Sequence, residues 1–172
     1  MASQELIASV MLGEGFRAAA YPDPLSPLAE ACKKARIDFT RDWRKLPNAS
    51  ALSGHPWTVG YGHTGPEVTP ATVWDEAKAR AVLLLDIDQH IEELVHKEPW
   101  IASLDPVRRD VLYEMAFNLG VAKLQKFKNT LSAVRRGDYE AASAGMLASL
   151  WATQTGSRAQ RLAKAMKIGV RA

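Results

Sequence analysis

Apolar positions recur with helical spacing along most of the chain and alternate as in strands only near its start. Leu6, Ile7, Val10 and Met11 share one side of a helix predicted over 3–13, with Glu14 at its end and Gly15 just past it. Segments 16–21 and 57–62 read as strands, the second rich in Trp, Thr, Val and Tyr. Gly60 and Gly62 alternate there with bulkier residues, which predicts close backbone approach or a tight bend. Pro24, Pro27, Pro47 and Pro56 punctuate the stretch 24–56 between the strands. Ser26 followed by Pro27 predicts a helix from about 27 to 36, and Phe39, Trp43 and Leu46 a further helical turn on the same lobe. A connection this long is functional or locally structured.

Thr69-Pro70 opens a long predicted helix, with Asp75 and Glu76 near its positive end. Val73, Ala77, Ala81, Leu84, Ile87, Ile91 and Leu94 carry it to about residue 96, a length of about 40 Å. Asp105-Pro106 caps a helix ending at Gly120, and another ends near Gly137. Asp138 caps the next, through Trp151, and Ser157 the last, through about Ile168. The expected fold is α+β, mostly α, as a single domain over 1–172. A small β-containing lobe spans 15–68 with segment 24–56 inserted, a connecting helix spans 70–97, and 1–14 with 98–172 form a helical lobe.

The longest apolar run, Ala81–Leu85, is far too short to span a bilayer, and residues 1–14 lack the basic start of a secretory signal. One cysteine, Cys32, excludes an internal disulfide and reads as a small hydrophobe or an incidental thiol rather than a nucleophile. The net charge of +3 is uneven. Residues 120–172 hold ten Lys/Arg against Asp138 and Glu140, a balance of +8 that leaves −5 over 1–119. A basic distal part steers a protein toward a polyanion, or is simply a solvated helix surface.

Glu14 at a helix C-terminus faces the negative end of the dipole, which disfavours its ionised form and suits a general acid. Asp23 sits in the rigid turn Tyr21-Pro22-Asp23-Pro24, where an Asp also bonds its own turn backbone. Thr58 alone reads as a β-former. Together they supply what glycoside hydrolysis requires, an acid for the leaving oxygen and a base that holds a water. His63 reads as structural, paired with an acidic residue such as Asp86 on the following helix. His55, His63, His90 and His96 show no zinc spacing, so no metal and no cofactor is expected. No Gly-x-Ser-x-Gly or phosphate loop appears, which excludes serine hydrolases and P-loop enzymes.

Glu14-Gly15-Phe16-Arg17, Tyr21-Pro22-Asp23 and Thr58-Val59-Gly60-Tyr61-Gly62-His63 together resemble the signature of phage-type lysozymes, family 24 of the glycoside hydrolases. The distal half is similar too, in Leu104-Asp105-Pro106-Val107-Arg108-Arg109, Phe117-Asn118-Leu119-Gly120 and Phe127-Lys128-Asn129-Thr130-Leu131. Trp151 followed by Gln154-Thr155-Gly156-Ser157-Arg158-Ala159-Gln160-Arg161 continues it. The resemblance covers nearly the whole chain in order, with 24–56 the main departure. It implies a lysozyme-like fold in which Glu14 is the general acid and Asp23 with Thr58 positions the hydrolytic water. Phe117, Thr130 and Thr64 fall on substrate-binding positions, and Arg158 on one that crosses to the glutamate and opposes the dipole effect. Gly145 stands where relatives carry a polar cleft residue.

The resemblance further implies an endolysin-type muramidase that inverts as it cleaves the β-1,4 bond between N-acetylmuramic acid and N-acetylglucosamine for host-cell lysis. The implied partners are peptidoglycan, a holin for release, and an anionic envelope met by the basic C-terminal helices. A monomer is expected, held in the host cytoplasm until it reaches the periplasm and wall. The helix 158–171 reads as core-packing, with membrane disturbance the lesser reading. Nucleic acid is not expected, since only Phe127, Tyr139 and Trp151 interleave the basic part and no recognition motif accompanies it. The rivals are a lytic transglycosylase on the same bond, which needs no directed water, and a wall-binding protein without catalysis.

Overall fold

The computed structural model describes residues 2–171. Helix α1 (Gln4–Glu14) buries Leu6, Ile7 and Val10 and stops at Gly15, whose φ of +69° is the left-handed geometry that suits glycine. Strand β1 (Arg17–Pro22) follows, then α2 (Pro27–Lys34), where the Ser26 hydroxyl accepts from Ala29 N and Pro27 stands in the first turn. Two single 3-10 turns, Trp43–Lys45 and Ala49–Ala51, lead to β2 (Trp57–Gly60). A bend at Tyr61-Gly62 then returns the chain as β3 (His63–Thr64), a two-residue strand beyond the expected 57–62.

The sheet is antiparallel, ordered β1-β2-β3, with Tyr21 opposite Thr58, Pro22 opposite Trp57 and Thr58 opposite Thr64. Segment 24–56 is a structured excursion that closes on itself. Asp23 N donates to the carbonyls of Gly54 and Pro56, Leu28 N to Ser53 O, and the Trp43 indole to Ala20 O. Trp43 and Trp57 pack 4.9 Å apart, and a β-carbon on Gly54 would lie 2.6 Å from the Trp57 ring. The close return therefore needs glycine at residue 54.

The helix expected from Pro70 begins instead at Glu76. Helix α3 (Glu76–Lys97) has 22 residues, about 33 Å. Residues 72–74 commit their backbone to β1, with Ala20 N donating to Thr72 O, Trp74 N to Ala18 O, and a bridge joining Ala19 to Val73. Asp75 then caps, its Oδ1 accepting from Lys78 N at 2.7 Å. The buried stripe is accordingly Ala79, Leu83, Ile87, Ile91 and Leu94, while Val73, Ala77 and Ala81 are exposed.

A 3-10 turn (Pro99–Ser103) leads to α4 (Pro106–Leu119), ended by Gly120, and the unforeseen short helix α5 (Val121–Leu124). Then come α6 (Lys128–Arg135) and α7 (Tyr139–Leu147), capped by Asp138 through Ala141 N. The helix expected to run on through Trp151 is broken, because Ser149 caps a separate α8 (Leu150–Thr155) through Ala152 N. The last helix, α9 (Ser157–Ile168), is preceded by Gly156 at φ +55°, so Ser157 is its first residue and not its cap.

The described residues form two compact units, 14–85 and the remainder before and after, and the boundary between Leu85 and Asp86 falls within α3. The first unit holds the sheet, and the second packs α7 on α6 and α9 and packs α4 on α9. No helix among the described residues is long and apolar enough to cross a membrane.

Asp105 gives the fold a pH signature. Its carboxylate caps α4 through Arg108 N at 3.1 Å and pairs with the Arg108 guanidinium at 3.0 Å. Partial burial pushes this carboxyl up, but the hydrogen bonds and charge of Arg108 prevail and hold it below its ordinary value. A lowered folded-state value means the contribution is present above the unfolded pKa of about 4 and is lost as pH falls through the folded one. Urea denaturation should therefore show a wild-type advantage over Asp105→Asn that is constant near neutrality and shrinks below about pH 4.

Candidate functional site

In the first unit the sheet collects most of the sequence-predicted catalytic side chains. Thr58 lies on the central strand, buried, its hydroxyl 3.1 Å from that of Thr64 on β3. Tyr21 faces it across β1, and opposed residues of an antiparallel pair project to the same side. Asp23, two residues beyond Tyr21, has the same parity. Its backbone N–H is held by Gly54 and Pro56, and its Oδ1 accepts from Leu25 N at 2.7 Å. The turn bond foreseen as the ordinary role of this Asp is thus present.

Glu14, half-buried as the last residue of α1, lies over the β2–β3 bend. A β-carbon on Gly62 would sit 3.4 Å from Glu14 Oε2, in van der Waals contact with the carboxylate, and the φ of +89° would strain any side chain there. Tyr21 reports the same grouping. Burial pushes its phenol up first, the charges of Glu14 and Asp23 push it further, and Arg17 opposes them. The phenol therefore stays protonated, a neutral donor among charges. Its signal is present in Tyr21-Pro22-Asp23, but the motif alone attaches no role to it.

His63 Nε2 lies 2.7 Å from Glu67 Oε1, and its ring packs 5.3 Å from Trp74. Glu67, four residues on in the same loop, is a partner of the ring that the sequence pattern did not suggest. Asp86 lies on α3, half-buried.

The remaining predicted residues belong to the second unit. Phe117 is half-buried near the end of α4, 5.4 Å from the His90 ring. Thr130 is buried on α6 beneath Gly145, where a β-carbon would lie 2.6 Å from its Oγ1. Glycine at residue 145 is thus what lets α7 approach Thr130. The two border a hollow of about 930 Å³ with Lys123, Lys126, Phe127 and Trp151.

Arg158 is buried, its Nε donating at 3.0 Å to Oε1 of Glu114, a fully buried acid. Arg161 reaches the same oxygen at 3.3 Å and Ser9 at 2.9 Å. The Arg158 guanidinium lies so close to Gly13 that a β-carbon there would meet it at 2.8 Å. Glu114 escaped the sequence reading because it stands inside the apolar run Val111-Leu112-Tyr113-Glu114-Met115-Ala116. An acid in such a run was the available signal.

A small antiparallel sheet in a mostly helical chain, with carboxylates at a helix end and a strand end, defines a lysozyme-like α+β protein. A family model for phage lysozymes matches residues 44–167, well over half of the chain, and the chain belongs to the phage lysozyme family. That span contains Thr58, His63, Thr64, Phe117, Thr130 and Arg158, whereas Glu14 and Asp23 precede it. The chain is also 30% identical over 135 residues to a protein of Pseudomonas phage phiKMV named peptidoglycan hydrolase gp36. The aligned part is 73% of this chain and spans only 15% of that relative's length.

Removing Glu114 tests the buried cluster. Glu114→Ala leaves two guanidinium groups without their shared acid and should cost about 3–5 kcal/mol in denaturant titration. Glu114→Gln, which keeps a hydrogen-bond acceptor, should cost less.

Proposed function

We propose that the chain is an endolysin-type muramidase that hydrolyses the β-1,4 bond between N-acetylmuramic acid and N-acetylglucosamine in peptidoglycan. The observation that carries this reading is the arrangement around the sheet. Glu14 lies on the Gly62 bend of the hairpin, while Thr58 and the strand bearing Tyr21-Pro22-Asp23 are neighbours. Membership of the phage lysozyme family and likeness to a phage peptidoglycan hydrolase support it.

Glu14 protonates the oxygen leaving the sugar. Asp23 accepts a proton from a water that the Thr58 hydroxyl helps to orient, and that water attacks the opposite face, which inverts the anomeric carbon. An inverting pair of carboxyls is spaced at roughly 6.5–9.5 Å to leave room for the water. Phe117, Thr130, Arg158 and Thr64 contact saccharide. His63 and Asp86 hold the scaffold near the site.

The protein acts in host-cell lysis as a monomer, accumulating in the cytoplasm and reaching the wall through a holin. Its basic distal helices meet the anionic envelope. The +8 balance of residues 120–172 supports that contact.

Products from purified peptidoglycan, resolved by mass and anomeric configuration, test the reading. Wild type should release reducing muramic acid ends of inverted configuration. Glu14→Gln and Asp23→Asn should each lose about 10²–10⁴-fold in rate, and Thr58→Val about tenfold. Anhydro-muropeptides as the sole product would make the protein a transglycosylase, and full activity in Glu14→Gln would exclude catalysis by this site.

A further inference from the structure

Segment 24–56 departs from the charge of its surroundings. It carries six Lys/Arg against Glu30, Asp38 and Asp42, a balance of +3, whereas the rest of residues 1–119 carries six against fourteen, or −8. Two of these cations, Arg41 and Arg44, join Arg17 of β1 around one hollow of about 450 Å³. Ala18, Ala19 and Ala20 line it as well, together with Phe16.

The arginines are held in different ways. The Arg44 guanidinium stacks 4.1 Å over the Trp43 ring and donates to Pro70 O. Arg17 donates to Phe16 O at 3.2 Å. Arg41 is exposed and meets Asp38 only at 3.9 Å, while Asp38 Oδ1 is occupied by the Thr40 amide and hydroxyl at 2.9 and 2.7 Å. The arginines lining the hollow outnumber the carboxylate beside them, Asp38, so an anion entering it meets excess positive charge. Guanidinium forks match phosphate oxygens in pairs, and three of them suit a phosphate dianion better than a single carboxylate. The hollow falls within the size range of small-molecule sites. The alanine stretch and Phe16 offer an apolar surface for a sugar ring attached to the phosphate.

We propose that the hollow bordered by Arg17, Arg41 and Arg44 binds a phosphorylated saccharide. Its lining includes none of Glu14, Asp23 and Thr58, and the proposal does not depend on the hydrolytic reading.

Titration calorimetry on the full chain with glucose 6-phosphate, inorganic phosphate and glucose tests it, beside vesicles of phosphatidylethanolamine and phosphatidylglycerol. Glucose 6-phosphate should bind more tightly than inorganic phosphate, glucose should not bind, and added salt should weaken the binding. Arg41→Gln should weaken it roughly tenfold and Arg41→Gln with Arg44→Gln roughly a hundredfold. Both variants should hydrolyse purified peptidoglycan at the wild-type rate, so loss of hydrolysis in Glu14→Gln leaves the binding result untouched. Absence of glucose 6-phosphate binding overturns the proposal, as does unchanged binding in the double variant. Inorganic phosphate binding as tightly as the sugar phosphate removes the saccharide, and binding to vesicles alone assigns the patch to a membrane surface.

Discussion

The antiparallel pairing of β1 with β2 is the constraint on which the candidate site depends. Residues 24–56 separate Asp23 from Trp57 only along the chain. In space Asp23 N donates to Gly54 and Pro56, and the adjoining residues pair as Pro22 with Trp57 and Tyr21 with Thr58. Closing a long loop costs chain entropy that grows slowly with length, and the excursion offsets that cost with a core of its own. Leu28, Ala29, Cys32 and Trp43 are buried within it, and the Trp43 indole is tied back to β1. Cys32 therefore serves as a small apolar side chain, and its burial pushes the thiol up, away from nucleophilic use.

Register decides more than proximity. A slip by one residue would turn Thr58 to the opposite face of the sheet, away from Tyr21 and Thr64. Gly62 fixes the other end of the arrangement, because its positive φ suits the β2–β3 bend on which the Glu14 carboxylate rests. In the other unit, Gly13 and Gly145 do similar service for the Arg158 guanidinium and for Thr130. Glu114 shares its charge between Arg158 and Arg161, so a buried acid and two cations stand where a lone buried charge would be costly.

Local signals announced many of the element ends. Gly15, Ser26-Pro27, Asp105-Pro106, Gly120 and Asp138 all act as their residue types predict, because capping is settled within one turn of chain. The failures came where a longer-range partner or a second local signal took over. Pro70 did not start α3 because residues 72–74 bond to β1, a choice invisible to helical periodicity. Ser149 broke the expected helix after Leu147, and β3, two residues long, was too short to show alternation. Glu14, Asp23 and Thr58 could be named from their motifs, whereas the Gly62 contact and the Glu67 partner of His63 arise only when the hairpin folds.

In the proposed mechanism Asp23 and Thr58, brought together by the β1–β2 register, act on one water. A double-mutant cycle on peptidoglycan turnover, using Asp23→Asn, Thr58→Val and the pair, measures this directly. If both hold the same water, the double variant should be scarcely slower than Asp23→Asn alone. Losses that multiply as for independent sites would contradict it.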